Sequence, residues 1–447
     1  MAQVCRRWLE IIKGAAELRT LMVDRIPPYA NLALRRSKPY PIGLVFNSMV
    51  LNRSLCATAL DHSNRWQRAD IRFGAGDEKA LRRLEDIDVS ILRHLRLEFS
   101  TQGTGSTFLL DLFRDHPPKL TSLTLIAVGL RRWDSSIFGS HLHSLKLDRI
   151  RSFGPTYEDL RGVLCACPEL AHLELGNIVF SGGTGGVLQG SRVELPLLHT
   201  LILRTLTPAD SIGIARMVET PRCRNYSASR GLHNLDALEL SAVALQIQPF
   251  FEACISPGYS LDIHLDGYWI HVICHSGHST SHDFNLKLGT IGPCEGVFDW
   301  LNSVLLAQRP PLSLIHINIH LEYKILRDPR PSPSDLLRLS GVRSLTITDL
   351  RGYVTSLVEA LSIPRSLENE TDRWPWPSLR EVTVKTFRCS RALLHMVTAR
   401  TEAALPRQGT VEADDISMLE KLEIGREVFT VKEFEAVRAV LGDAAVM

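Results

Sequence analysis

One short alternation of apolar and polar positions, Leu-x-x-Leu-x-Leu, returns along most of the chain. It runs through Leu92, Leu95 and Leu97, then Leu120, Leu123 and Leu125, then Leu142, Leu145 and Leu147. Further copies are Leu170, Leu173 and Leu175; Leu198, Leu201 and Leu203; and Leu235, Leu238 and Leu240. With Val or Ile at some positions it recurs at Val342, Leu345 and Ile347, at Leu379, Val382 and Val384, and at Leu419, Leu422 and Ile424. The last two apolar residues of each copy are two apart, so on a strand they point to one side while their neighbours point to the other. Each copy therefore predicts a strand buried on one face. A lone strand cannot cover that face, whereas parallel strands stacked about 5 Å apart build a continuous core. From Leu92 to Leu235 successive copies start 28, 22, 28, 28 and 37 residues apart, mostly inside or just beyond the roughly 20–29 residues of leucine-rich repeats.

Between these strands, apolar residues at i, i+3 and i+4 predict helices over 108–113, 157–164, 298–306, 353–361 and 392–397. Pro118, Pro168, Pro196 and Pro377 each stand two residues before a motif. Proline disfavours helix at the residue before it, so the expected unit is helix, proline, strand. Loop-rich insertions are expected at 101–107, 181–192, 220–231, 328–334 and 365–377. From Ser241 to Gly341 the motif fades; Leu261, Ile263 and Leu265, and Leu314, Ile317 and Ile319, alternate like strands of unassigned register. Thr430 and Glu433 form a capping box for a helix to about Leu441, expected to close the stack. The fold expected is an α/β leucine-rich-repeat-like solenoid over 39–447, with parallel strands on its concave face and helices on its convex face. Residues 1–38 are expected to form a separate short helical segment.

Composition narrows the function. Hydrophobic residues make up 45% of the 447 and charged residues 22%, which suits a folded protein with ample material for a core. The formal charge of +2 supplies no basic field for nucleic acid or an acidic membrane, so neither is expected as a partner. Nine cysteines without framework spacing fit free thiols in a reducing compartment. Arg6, Arg7, Glu10 and Lys13 stand where a signal peptide needs an apolar core, so the protein is expected in the cytoplasm or nucleus. The sequons at Asn52, Asn225 and Asn369 are then chance matches.

Near the start, Val4, Trp8, Ile11 and Ile12 line one side of a short amphipathic helix. The run Val4-Cys5-Arg6-Arg7-Trp8, the stretch around Leu18 and Leu21, a strand at 39–44 and ragged leucine motifs beyond it together resemble fungal F-box proteins with degenerate leucine-rich repeats, of the basidiomycete type. The resemblance spans nearly the whole chain, and its specific part is under ten residues. It implies an F-box that docks on the Skp adaptor of a cullin-RING ubiquitin ligase, and repeats that hold the protein to be ubiquitinated. A family F-box carries a Leu-Pro helix and an Ile-Phe-type pair ahead of the Cys-Arg-Arg-Trp element. This chain begins three residues before Val4, so its F-box is expected to be truncated, with most of the adaptor-binding surface missing.

No catalytic or cofactor motif emerges, and an enzyme is not expected. The stretch from His264 to His282 holds His264, His271, Cys274, His275, His278 and His282 without a recurrent zinc spacing. A strand with outward histidines and a polar loop accounts for it, and no metal site is expected. Cys165 and Cys167 lack redox spacing and read as core thiols. The glycine-rich run at 182–186 lacks the Lys-Ser/Thr of a phosphate loop. A binding role is left. The outward row reads His94, Arg96 and Glu98; Ser122 and Thr124; Ser144, Lys146 and Asp148; His172 and Glu174; Thr200, Ile202 and Arg204; and Glu239 and Ser241. Arg96, Lys146, Arg204 and Glu174 are the expected contacts to a target protein. The expected function is substrate recruitment to a Skp-cullin-F-box ligase, the alternative a stand-alone interaction scaffold. A metal-dependent hydrolase around His264 to His282 would require bound zinc.

Overall fold

The computed structural model describes residues 21–23, 34–46 (36 excepted), 58–181 (101–106, 115–116 and 135 excepted) and 192–229. Beyond these it describes 259–266, 269–276, 282–289, 316–323, 337, 339, 342–349, 353–363, 374–385, 390–404, 417–424, 430–442 and 445–446. The chain is a mixed α/β protein built on parallel strands, in two compact units, Met1–Cys223 and Arg224–Met447.

In the first unit the strands are β1 (Leu21–Val23), β2 (Ile42–Phe46), β3 (Trp66–Phe73), β4 (His94–Phe99), β5 (Phe108–Leu110), β6 (Ser122–Ile126), β7 (Val128–Leu130), β8 (Ser144–Asp148), β9 (His172–Gly176), β10 (Val193–Glu194), β11 (Thr200–Arg204) and β12 (Val218–Glu219). Eight of them pair in parallel in the order β1-β2-β3-β4-β6-β8-β9-β11. Each described motif copy of this unit is one of these strands, as its alternation predicts. The registers put Leu95, Leu123, Leu145, Leu173 and Leu201 in one row and Leu97, Leu125, Leu147, Leu175 and Leu203 in the next. All ten are at most 2% exposed. Full burial of a leucine side chain is worth roughly 1.5–3 kcal/mol, so the two rows hold the ladder in register.

Four strands end in the same way. Ala127, Arg149, Asn177 and Thr205, each the residue just past β6, β8, β9 and β11, take φ values of 54, 57, 48 and 52°. The turned backbone lets Ala127, Arg149 and Asn177 donate their N–H to Asp148, Gly176 and Arg204 at 2.7, 2.8 and 2.7 Å, the last residue of the next strand. None of the four is glycine and only Asn177 is a residue type that favours this conformation, so the other three corners carry no turn signal in the sequence.

Among the described residues, the α-helices of this unit include α1 (Glu78–Leu81), α2 (Tyr157–Ala166) and α3 (Pro208–Met217). Thr156 and Asp159 make a capping box for α2, and Thr207 caps α3 with Pro208 in its first turn. The helix expected over 108–113 is instead β5 followed by a turn, for two reasons. Phe108 packs against Phe73 and Phe99, with ring centroids 5.5 and 5.7 Å away, and the backbone of β5 pairs in parallel with β7. Of the helix-ending prolines, Pro168 does follow α2, whereas the described elements before Pro118 and Pro196 are strands. Cys167 is buried, which pushes its thiol up to about 12, but Cys165 is exposed and not a core thiol.

The second unit holds β13 (Asn225–Ser229), β14 (Tyr259–Asp266), β15 (Trp269–Ser276), β16 (His282–Gly289), β17 (His316–Tyr323), β18 (Val342–Asp349), β19 (Glu381–Val384), β20 (Lys421–Ile424) and β21 (Ala445–Val446). Among the described residues its helices are α4 (Tyr353–Ala360), α5 (Ser390–Ala404) and α6 (Val431–Leu441). The spatial order is β13-β16-β15-β14-β17-β18-β19-β20-β21, with β15 antiparallel to both neighbours and every other pair parallel. The β14–β15–β16 meander is the stretch where the motif fades. Its strands alternate like the others, so alternation alone could not reveal that one of them reverses. Ile263, Ile319, Leu345, Val382 and Leu422 align across β14, β17, β18, β19 and β20, each at most 1% exposed.

The Thr430–Glu433 capping box opens α6 as expected, but the helix does not close the stack, because β21 follows it and pairs with β20. On α5, Arg400 is 1% exposed and donates to the carbonyls of Pro375 and Trp376 at 2.9 and 2.7 Å, fastening the turn ahead of β19. Burial lowers its guanidinium to about 10. The motif at 235–240, the helix at 298–306 and the glycine run at 182–186 lie outside the described residues.

Candidate functional site

On the face opposite the leucine rows of the first unit, the polar positions of neighbouring strands meet because the registers align them. Asp70, Arg96, Thr124, Lys146, Glu174 and Ile202 form one rung from β3 to β11. Two carboxylates collect the cations. Glu98 accepts from Arg96 at 2.7 Å and Arg149 at 2.9 Å, with Arg72 at 3.4 Å. Glu174, with 8% of its side chain exposed, accepts from Lys146 Nζ at 2.7 Å and lies 3.3 Å from Arg204. His172, 3.8 Å away, together with Lys146 and Arg204, holds the Glu174 carboxyl at about 2 against the opposing effect of burial. Burial would raise Glu98, but Arg96, Arg72 and Arg149 bring it below the ordinary range. Asp148 is raised by burial, against the pull of Lys146 and Arg149.

The four residues expected to contact a partner thus share one surface, and two of them, Lys146 and Arg204, pair with a third, Glu174. Glu174 is a buried hub, not a group on offer. Arg96 and Arg204 keep the most contact with solvent, at 37% and 53% of their side chains. The outward positions from β3 to β11 carry Arg68, Arg72, Arg96, Lys146 and Arg204, with Arg149 just past β8, against Asp70, Glu98, Asp148 and Glu174, a modest cationic excess. The F-box-like residues Val4, Cys5, Arg6, Arg7 and Trp8, and Glu239 and Ser241, lie outside the described residues.

The histidine-rich stretch of the second unit divides by face. Cys274 is 1% exposed and points into the core with Val272, so it cannot join the outward histidines. His264 and His271 are cross-strand partners with ring centroids 5.9 Å apart. His264 also stacks on His320 of β17, at 4.3 Å and an interplanar angle of 10°. Asp262 precedes His264 by two residues and Asn318 precedes His320 by two, so all four face outward together. Asn318 Nδ2 donates to Asp262 Oδ1 at 2.7 Å. Potential donor atoms of Asp262, His264 and His320 all lie within 4.8 Å of one another. Burial lowers the His320 imidazole below its ordinary value, against Asp262, which raises it. Sequence reasoning singled out His264 and His271 but missed Asp262 and His320. The paired spacings Asp262-x-His264 and Asn318-x-His320 were the available signal, and only the β14–β17 register makes them one cluster. The side chains of His275, His278 and His282 lie outside the described residues.

No family model, no curated protein and no solved structure matches this chain. Among the described residues, no helix is long and apolar enough to cross a membrane.

Proposed function

We propose that the chain is a leucine-rich-repeat-like solenoid that holds a target protein on the polar face of its strands, and that it serves as the substrate-recruiting adaptor of a Skp-cullin-F-box ubiquitin ligase. The observation that carries the binding role is the ion-paired ladder around Glu98 and Glu174. Side chains already held by rigid strands lose little freedom when a partner arrives, so their contacts are not spent on ordering. Arg96 and Arg204, paired yet partly exposed, suit carboxylates on a polar protein surface, to which guanidinium donates in bidentate fashion. The ubiquitin link rests on the resemblance of Val4 to Trp8 to an F-box element.

Co-expression of the full chain with the Skp adaptor tests that link. Stoichiometric recovery supports it, and none recovered would leave a stand-alone interaction scaffold. The binding face is tested by Arg96→Gln with Arg204→Gln, which removes charge without introducing a carboxylate beside Glu98 or Glu174. Capture of the natural target should fall in a variant that stays folded, with only the modest drop in melting that loss of the pairs to Glu98 and Glu174 brings. Unchanged capture would move the site off this face. Lys146 is left intact because Lys146→Glu would place a second carboxylate against buried Glu174.

A further inference from the structure

We propose that Asp262, His264 and His320 form a binding site for one divalent transition-metal ion, zinc by the chemistry of its donors, with His271 on the neighbouring strand. Two imidazoles and a carboxylate suit zinc among the available ions, whereas calcium and magnesium require an oxygen shell that this cluster does not offer. The backbone does most of the assembly. Asp262 and His264 are two apart on β14, His320 is the register partner of His264 on β17, and His271 is its partner on β15. Three hydrogen-bonded strands thus deliver the side chains to one patch of one face.

The fit is close. Bonds of about 2.0–2.1 Å in a tetrahedral site put ligand atoms roughly 3.4 Å apart. The donor atoms of the three residues already lie within 4.8 Å of one another, so rotations about side-chain bonds close the shell and leave the strands in place. In closing, the His264 and His320 rings turn out of their parallel stack so that their lone pairs converge. Asn318 holds Asp262 Oδ1 at 2.7 Å, the kind of outer contact that orients a carboxylate ligand. His271, with its ring 5.9 Å from that of His264, is outside the three whose donor atoms lie within 4.8 Å and joins only by a larger side-chain swing; otherwise water fills the fourth position.

The test uses the full-length, tag-free chain, stripped with chelator and dialysed. Co²⁺ titration followed by visible absorption, then displacement by Zn²⁺, should report one tight site per chain. A stoichiometry near one is informative in a protein with 16 histidines. His264→Gln and His320→Gln should each weaken zinc by more than about tenfold, and Asn318→Ala, which touches only the outer contact, by about tenfold. His395→Gln, exposed on α5, and His199→Gln, in the first unit, should change nothing. Zinc should also raise the melting temperature of the parent and not of the His264 and His320 variants. Should either histidine variant fail to fold in chelator, the near-isosteric Asp262→Asn takes its place with the same expectation. Absence of zinc uptake by the folded parent would overturn the proposal, and so would uptake that the ligand substitutions leave unchanged.

Discussion

Replacing Glu174 with Gln removes the charge on which Lys146, Arg204 and His172 converge, at 2.7, 3.3 and 3.8 Å. The carboxyl titrates at about 2 in the folded chain against an ordinary 4.5, through the nearby His172 and then through Lys146 and Arg204. Each pH unit between those values corresponds to about 1.4 kcal/mol, which sets an upper bound of about 3 kcal/mol. Arg204 is half exposed and partly screened, so a loss of about 1–3 kcal/mol is expected near neutral pH. The sign follows from the lowered value. Stabilisation from Glu174 is fully present above 4.5 and is lost as pH falls towards about 2. Urea unfolding of parent and Glu174→Gln, followed by tryptophan fluorescence, would measure the gap at about pH 7, 5 and 3. The gap should be open at the first two and closing at the third. A gap below about 0.5 kcal/mol near pH 7, the size of an ordinary surface pair, would refute the buried-hub account, as would one that stays constant down to pH 3.

Leu145→Ala and Leu173→Ala, both at fully buried positions, should each cost about 2–5 kcal/mol in urea unfolding; a variant that melts within about a degree of the parent would mean the leucine rows are not the core. Tyr157→Phe removes the phenol that donates to Asp210 at 2.5 Å between α2 and α3, and with Asp210 only 3% exposed the same measurement should show a loss of about 1–3 kcal/mol. Thr205 is β-branched, exposed and at φ 52°, so Thr205→Asn should raise stability by about 0.5–1 kcal/mol and Thr205→Val should not.

Much of the scaffold was legible in the sequence because strand side chains alternate with a period of two. Leu95 and Leu97 had to share a face whatever lay beside them, and eight of the nine motif copies are strands in place; the ninth lies outside the described residues. The capping box at Thr430 and Glu433 was equally local, since both partners lie within one helical turn. What pairs with what was not local. Phe108 forms a strand rather than a helix because Phe73, Phe99 and β7 are beside it, and β15 runs backwards although its alternation matches that of β14. Both charged clusters depend on register across strands. Lys146 meets Glu174, and His264 meets His320, only because β8 and β9, and β14 and β17, align without a slip; a shift of one residue would turn each of these side chains to the other face. The sequence by itself determined which residues face outward, through a periodicity carried within each strand. The tertiary structure decided which of them touch, because hydrogen bonding between distant segments sets the register.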